Sequence, residues 1–145
     1  MTRAAAAVLL VAVALSGCSS DPQEAYCDAV AEHQEELTDV AASEDTGALF
    51  DALDTYDELR ERAPRDIADE WDAVIDPLRE LERVVDDHGV DASTYTSDEP
   101  PADLDAAGRR EIEAAAREVG SEQTVTAMAA VEQHALDVCG TPLSR

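Results

Sequence analysis

From Ile67 to Val85 an apolar residue recurs every three or four positions: Ile67, Trp71, Val74, Leu78, Leu81 and Val85 share one register. That spacing puts all six on one face of an α-helix, and hardly any stretch of alternating residues competes with it as a strand. Similar stripes occur on both sides. Tyr26, Val30, His33, Leu37 and Val40 form one, and Leu49, Phe50, Leu53, Tyr56 and Leu59 a second. Leu104, Ile112, Ala115 and Val119 form a fourth, and Val125, Met128, Val131, Ala135 and Val138 a fifth. The chain is therefore expected to be all-α, a single antiparallel bundle of about five helices.

Local signals supply the boundaries. Asp21 is a suitable N-cap, with Pro22 in the first turn and Glu24 completing a capping box, and the first helix ends near Ala42. The second is stopped by Pro64, where the third begins. The third closes near Asp87 with Gly89 as its C-terminal cap. Pro77 lies inside the third stripe and removes a backbone donor there, so one kinked helix is expected. Residues 90–102 are polar, contain Pro100 and Pro101 and lack periodicity, which predicts an exposed, mobile loop. A fourth helix is expected from Asp103 to Val119. A fifth, capped by Ser121, should run to Cys139-Gly140.

Residues 1–17 have the three parts of a secretory signal: a short n-region with Arg3, an apolar run over 4–15, and small residues at Ser16 and Gly17. The apolar run is shorter than the roughly 20 residues a membrane span needs. Leu15-Ser16-Gly17-Cys18 resembles a bacterial lipobox at all four positions. The resemblance implies diacylglycerol on the Cys18 thiol, cleavage before it and acylation of the new amino group, which together anchor stably to a bilayer. The alternative is ordinary signal cleavage with Cys18 incidental. The expected organisation is a signal peptide over 1–17, a lipidated tether over 18–21 and a helical bundle domain over 22–142.

With Cys18 lipidated, Cys27 and Cys139 remain, and an even pair in an exported domain reads first as a disulfide. They sit at the start of the first helix and the end of the last, positions that antiparallel neighbours bring level. Free thiols or a redox pair are the alternative, although the spacing is unlike a CxxC motif. With Tyr26-Cys27-Asp28, Ala63-Pro64 and the terminal Cys139-Gly140, the chain resembles the small all-helical lipoproteins of actinobacteria. That resemblance implies a location and a fold, and no catalytic residue. The absence of lysine and asparagine fits a GC-rich genome.

The formal net charge is −24 and every basic residue is arginine. Such acidity disfavours nucleic acid as a partner and rules out a basic patch as a second hold on anionic lipid. A well-solvated surface accounts for it, with a cationic partner as the alternative. Aromatic residues make up 3% of the chain, so the core must be mostly Ala, Val and Leu, which disfavours a roomy pocket or an aromatic cage.

Candidate chemistry is sparse. His33 with Glu36 and His134 with Asp137 are two H-x-x-acid pairs on the first and last helices. Imidazole and carboxylate at matched heights suit a transition metal. His33-Gln34-Glu35-Glu36 also resembles the H-x-x-E signature of the much longer imelysin-like iron-uptake proteins. Helical geometry turns Glu36, His134 and Asp137 away from the apolar stripes, so the two pairs are expected to face solvent on different sides and His33 to sit at the core edge with one partner. No metal site and no cofactor are expected. Residues 86–91 lack the alternation of a calcium loop. Ser43, Ser93, Ser97, Ser121 and Ser144 have no nucleophile elbow or adjacent base. The sequence thus predicts a membrane-anchored, extracytoplasmic, non-catalytic helical module. It would present helix faces or the 90–102 loop to an envelope partner. A metal- or small-solute-binding protein serving a transporter is the alternative, and an envelope hydrolase a second one.

Overall fold

The computed structural model describes residues 21–43, 45–96 and 98–145. The signal segment and Cys18 lie outside the described residues. The chain folds into a helical bundle: α1 (Pro22–Ala42), α2 (Thr46–Asp51), α3 (Leu53–Arg62), α4 (Ala68–Asp87), α5 (Ala106–Val119) and α6 (Glu122–Cys139). The five expected helices are present, the second of them in two pieces. No helix among the described residues is long and apolar enough to cross a membrane.

Side chains capping the helix starts fix the register. Asp21, Asp45, Asp105 and Ser121 accept from the Gln23, Gly47, Ala107 and Thr124 backbone N–H groups respectively, satisfying donors a helix start leaves free. At the end of α4 the Gly89 N–H bonds to Asp86 O and the Val90 N–H to Val85 O, with Gly89 at φ +64°. This reversal needs a left-handed residue and drives the following apolar side chain back onto the helix.

α4 is the central element and packs against α2, α3, α5 and α6. Its N-terminal half contributes Trp71, Val74, Ile75 and Leu78 to the main core, with Tyr26, Val30 and Leu37 of α1, Leu59 of α3 and Val131 and Ala135 of α6. Its C-terminal half meets Ile112 and Ala115 of α5 in a smaller cluster through Leu81, Val84 and Val85. On the surface, Arg60 of α3 holds Asp72 of α4 through two hydrogen bonds of 2.6 and 2.8 Å, and Arg79 pairs with Asp57.

Several expected boundaries move. The second helix breaks at Ala52 because Phe50 packs against both clusters, whereas Leu53, Tyr56 and Leu59 commit to the main one. Pro64 does not open α4: residues 64–67 form a turn in which the Ile67 N–H bonds to Pro64 O, and the helix starts at Ala68. α4 then runs unbroken through Pro77. α5 starts at Ala106 rather than Asp103, since Asp105 accepts from both the Ala107 and Gly108 N–H groups and sets the cap there.

The segment over 90–102 is not simply exposed. Val90 is buried, and Ala92 and Tyr95 pack against the smaller cluster. The inner face of α6 is Thr124, Ala127, Val131 and Ala135, leaving Val125 59% exposed. The reason is Thr124, whose hydroxyl turns in to donate to Glu118 O and close the α5–α6 corner. The folded domain also passes 142. Gly140, at φ +66°, turns the chain back along α1, where Gln34 donates to Pro142 O and the Arg145 N–H to Thr38 Oγ1. Leu143 is only 1% exposed in the main core.

Candidate functional site

Cys27 in the first turns of α1 and Cys139 at the end of α6 are bonded to each other, with Cα atoms 5.2 Å apart and a sequence separation of 112. Around this staple α1 and α6 carry the residues singled out for chemistry, and the structure separates them.

His33 is 17% exposed at the edge of α1. It has two partners rather than one: Nδ1 lies 3.3 Å from Glu36 Oε2, and Nε2 lies 3.3 Å from Glu58 Oε2 on α3. Glu36 also accepts from the Thr55 hydroxyl at 2.8 Å, and Glu58 pairs with Arg62 at 2.6 Å. With a carboxylate facing each ring nitrogen, one from α1 and one from α3, His33 joins the two helices. Glu58 is 25 residues from His33, so no local pattern announces it.

His134 does not face solvent. Its side chain is 14% exposed, its ring centroid lies 5.8 Å from that of Tyr26, and its Nε2 is 3.8 Å from Asp66 Oδ2 in the turn before α4. Periodicity within α6 misses this because the side chain that covers His134, Tyr26, comes from α1. Asp137 is exposed and accepts from Gln133 instead. The two histidine pairs therefore form no joint site. Among the described residues no three His, Cys, Asp or Glu side chains group as a metal centre would require.

Beside His134 lies the fully buried Tyr26, and Trp71, also fully buried, neighbours Tyr26. Burial pushes the Tyr26 hydroxyl pKa up, and the nearby Trp71 indole N–H opposes the rise. Tyr26 Oη, Trp71 Nε1 and His134 Nδ1 are all buried, and none has a protein partner in well-aligned hydrogen-bond geometry. Tyr56, across the ring of Trp71 at a centroid distance of 5.9 Å, is likewise raised by burial, with Glu132 and Glu36 adding to it.

Two surface clefts stand out. A groove of about 610 Å³ runs between α4 and α6, with Ala73, Ala127 and Ala130 as its floor and Asp69, Glu70 and Glu122 on its rim. None of these three carboxylates has a basic partner among the described residues. A second cleft of about 360 Å³ lies beside the 90–102 segment, lined chiefly by Phe50, Leu81, Val85, Tyr95 and Ile112. No protein-family model, curated protein or solved structure matches the chain.

The sequence signalled neither cleft. Each is made by residues from different helices, which no single apolar stripe brings together.

Proposed function

We propose that this chain is an extracytoplasmic lipoprotein, anchored through acylated Cys18 to the outer face of the cell membrane. It acts as a non-catalytic helical module that receives an envelope partner. The observation that carries the location is the Cys27–Cys139 bond, because such staples persist in oxidising compartments, and this one begins soon after the lipobox-like Leu15–Cys18. A tether over 18–21 would hold α1, and hence the stapled end of the bundle, close to the bilayer. The surface best suited to a partner is the α4–α6 groove, whose unpaired acidic rim above small side chains favours a cationic helix lying between two others. The test is a photo-crosslinker at Thr126 on the groove, against one at Arg109 on α5, in intact cells. One reproducible adduct from position 126 alone supports the reading; equal or absent adducts oppose it.

A second reading has its own observation. The apolar cleft beside 90–102 falls at the small end of ligand-pocket sizes, which favours binding of a small apolar solute. A ligand at a hundred times its dissociation constant adds about 2.7 kcal/mol to stability. A thermal-shift screen in which no apolar compound moves the transition removes this reading.

A further inference from the structure

The arginines are divided unevenly between two states. Arg60, Arg62, Arg79 and Arg83 are each paired with a carboxylate of α3 or α4. Arg109, Arg110 and Arg117, all on α5, have no carboxylate partner among the described residues, and Arg110 only turns back to donate to Ala106 O of its own helix. α5 buries Gly108, Ile112 and Ala115. Its opposite face carries Ala107, Arg110, Ala114 and Arg117, spaced three, four and three positions apart and all exposed. That spacing makes one helical stripe in which small side chains alternate with cationic ones. Arg109 is off it, about a third of a turn from its middle.

The α4–α6 groove is the counterpart of this stripe. Its floor is Ala73, Ala127 and Ala130, and its rim carries Asp69, Glu70 and Glu122 without basic partners among the described residues. Packed helix axes lie about 8–10 Å apart, the distance being set by the side chains at the contact. A helix entering over alanines must therefore be small where it meets them, as Ala107 and Ala114 are. Arg110 and Arg117 flank these alanines and have the length to reach the rim. The other arginines without a carboxylate partner among the described residues, Arg65 and Arg145, lie in the turn before α4 and in the segment after α6, outside any helix.

We propose that the groove receives α5 of a second copy of this chain. The proposal rests on the reading of the α4–α6 groove as the partner surface, and it names the partner. Net negative charge opposes association at a distance, but that repulsion is screened beyond about 8 Å at physiological ionic strength, whereas the arginine–carboxylate pairs form inside that range. Exposed pairs each contribute little, so the contact is weak between free molecules and depends on confinement of anchored copies to one bilayer plane. Stripe and groove are different faces of one molecule. The contact therefore either closes reciprocally in a pair or passes from copy to copy.

The experiment uses the full-length chain in intact cells, with a photo-crosslinker at Thr126. The expected adduct contains two copies, and its digest joins position 126 to residues 106–119. Arg110→Glu/Arg117→Glu is expected to reduce that adduct about tenfold, since two attractive pairs become repulsive. Adding Asp69→Arg/Glu122→Arg to the same chain reverses both surfaces and is expected to restore the adduct, which damage to the fold would not do. Both carboxylates also favour the helix starts they occupy, so circular dichroism checks that each variant folds. An adduct with a different protein alone removes the second copy and leaves the groove reading standing, whereas no adduct removes both. An adduct between copies that maps elsewhere, survives the double arginine swap or is not restored by the fourfold swap in a folded protein also overturns the proposal. Should the fourfold variant fail to fold, the mapped parent adduct and the double variant decide alone.

Discussion

Leu143 and Leu136 are chemically identical side chains seven positions apart, one 1% and the other 46% exposed. Leu143→Ala should therefore cost about 2–4 kcal/mol in chemical denaturation, because it leaves a cavity between α1 and the returning C-terminal segment. Leu136→Ala should stay within about 0.5 kcal/mol of the parent. Equal losses would mean that residues 141–145 do not pack as described. Asp105 supports a pH prediction. Hydrogen bonds from the Gly108 N–H and, less strongly, the Ala107 N–H hold its carboxyl below the ordinary aspartate range. The stabilisation is thus present above the unfolded value near pH 4 and lost as pH falls through the lower folded value. Asp105→Asn keeps an acceptor at the cap but does not titrate, so its melting temperature should decline less steeply than the parent's below about pH 4. Parallel curves for the two proteins would contradict the assignment. Periodicity revealed most individual core residues, including Tyr26, Trp71 and Val131. It misplaced His134 and Val125 because a wheel drawn for one helix contains neither the corner hydroxyl of Thr124 nor the covering of α1.

Capping chemistry was the most legible feature at the level of elements. Asp21, Ser121 and Gly89 do what their residue types favour, since each acts within one turn of chain. Where an element serves two packing partners, local pattern falls short. The break at Ala52 answers to Phe50 lying between clusters, and the inward turn of Val90 follows from α5 standing over α4. α5 itself approaches closely through Gly108, where an added Cβ would come within 2.7 Å of Leu104 Cδ1 and 2.9 Å of His88 Nδ1. Helix propensity alone favours Gly108→Ala by about 1 kcal/mol. The packing predicts the opposite sign, a net loss of about 1 kcal/mol as the His88 ring is displaced from its 2.8 Å contact with Glu111. A stabilised variant in a thermal melt would show that the α4–α5 approach is looser than this.

At the scale of the molecule, a strongly acidic and aromatic-poor chain must hold a helical core against its own charge, and one covalent bond joins its first and last helices. Loop-closure entropy for a ring of this size gives about 4–5 kcal/mol. The Cys27→Ser/Cys139→Ser double variant should therefore unfold at markedly lower urea concentration, and an unchanged midpoint would contradict a structural role for the bond. Pairing of the two cysteines was legible because only two remain once Cys18 is assigned elsewhere. The clefts were not, since grooves between helices depend on relative placement that no single stripe encodes. The proposed location makes a joint claim about three sulfur atoms. Intact mass spectrometry of membrane-extracted protein, before and after reduction, tests it most directly. The expected species begins at Cys18, carries acyl chains there and gains a pair of hydrogens on reduction. A cytosolic species that retains residues 1–17, lacks lipid and is alkylated at both Cys27 and Cys139 without reduction would contradict the account.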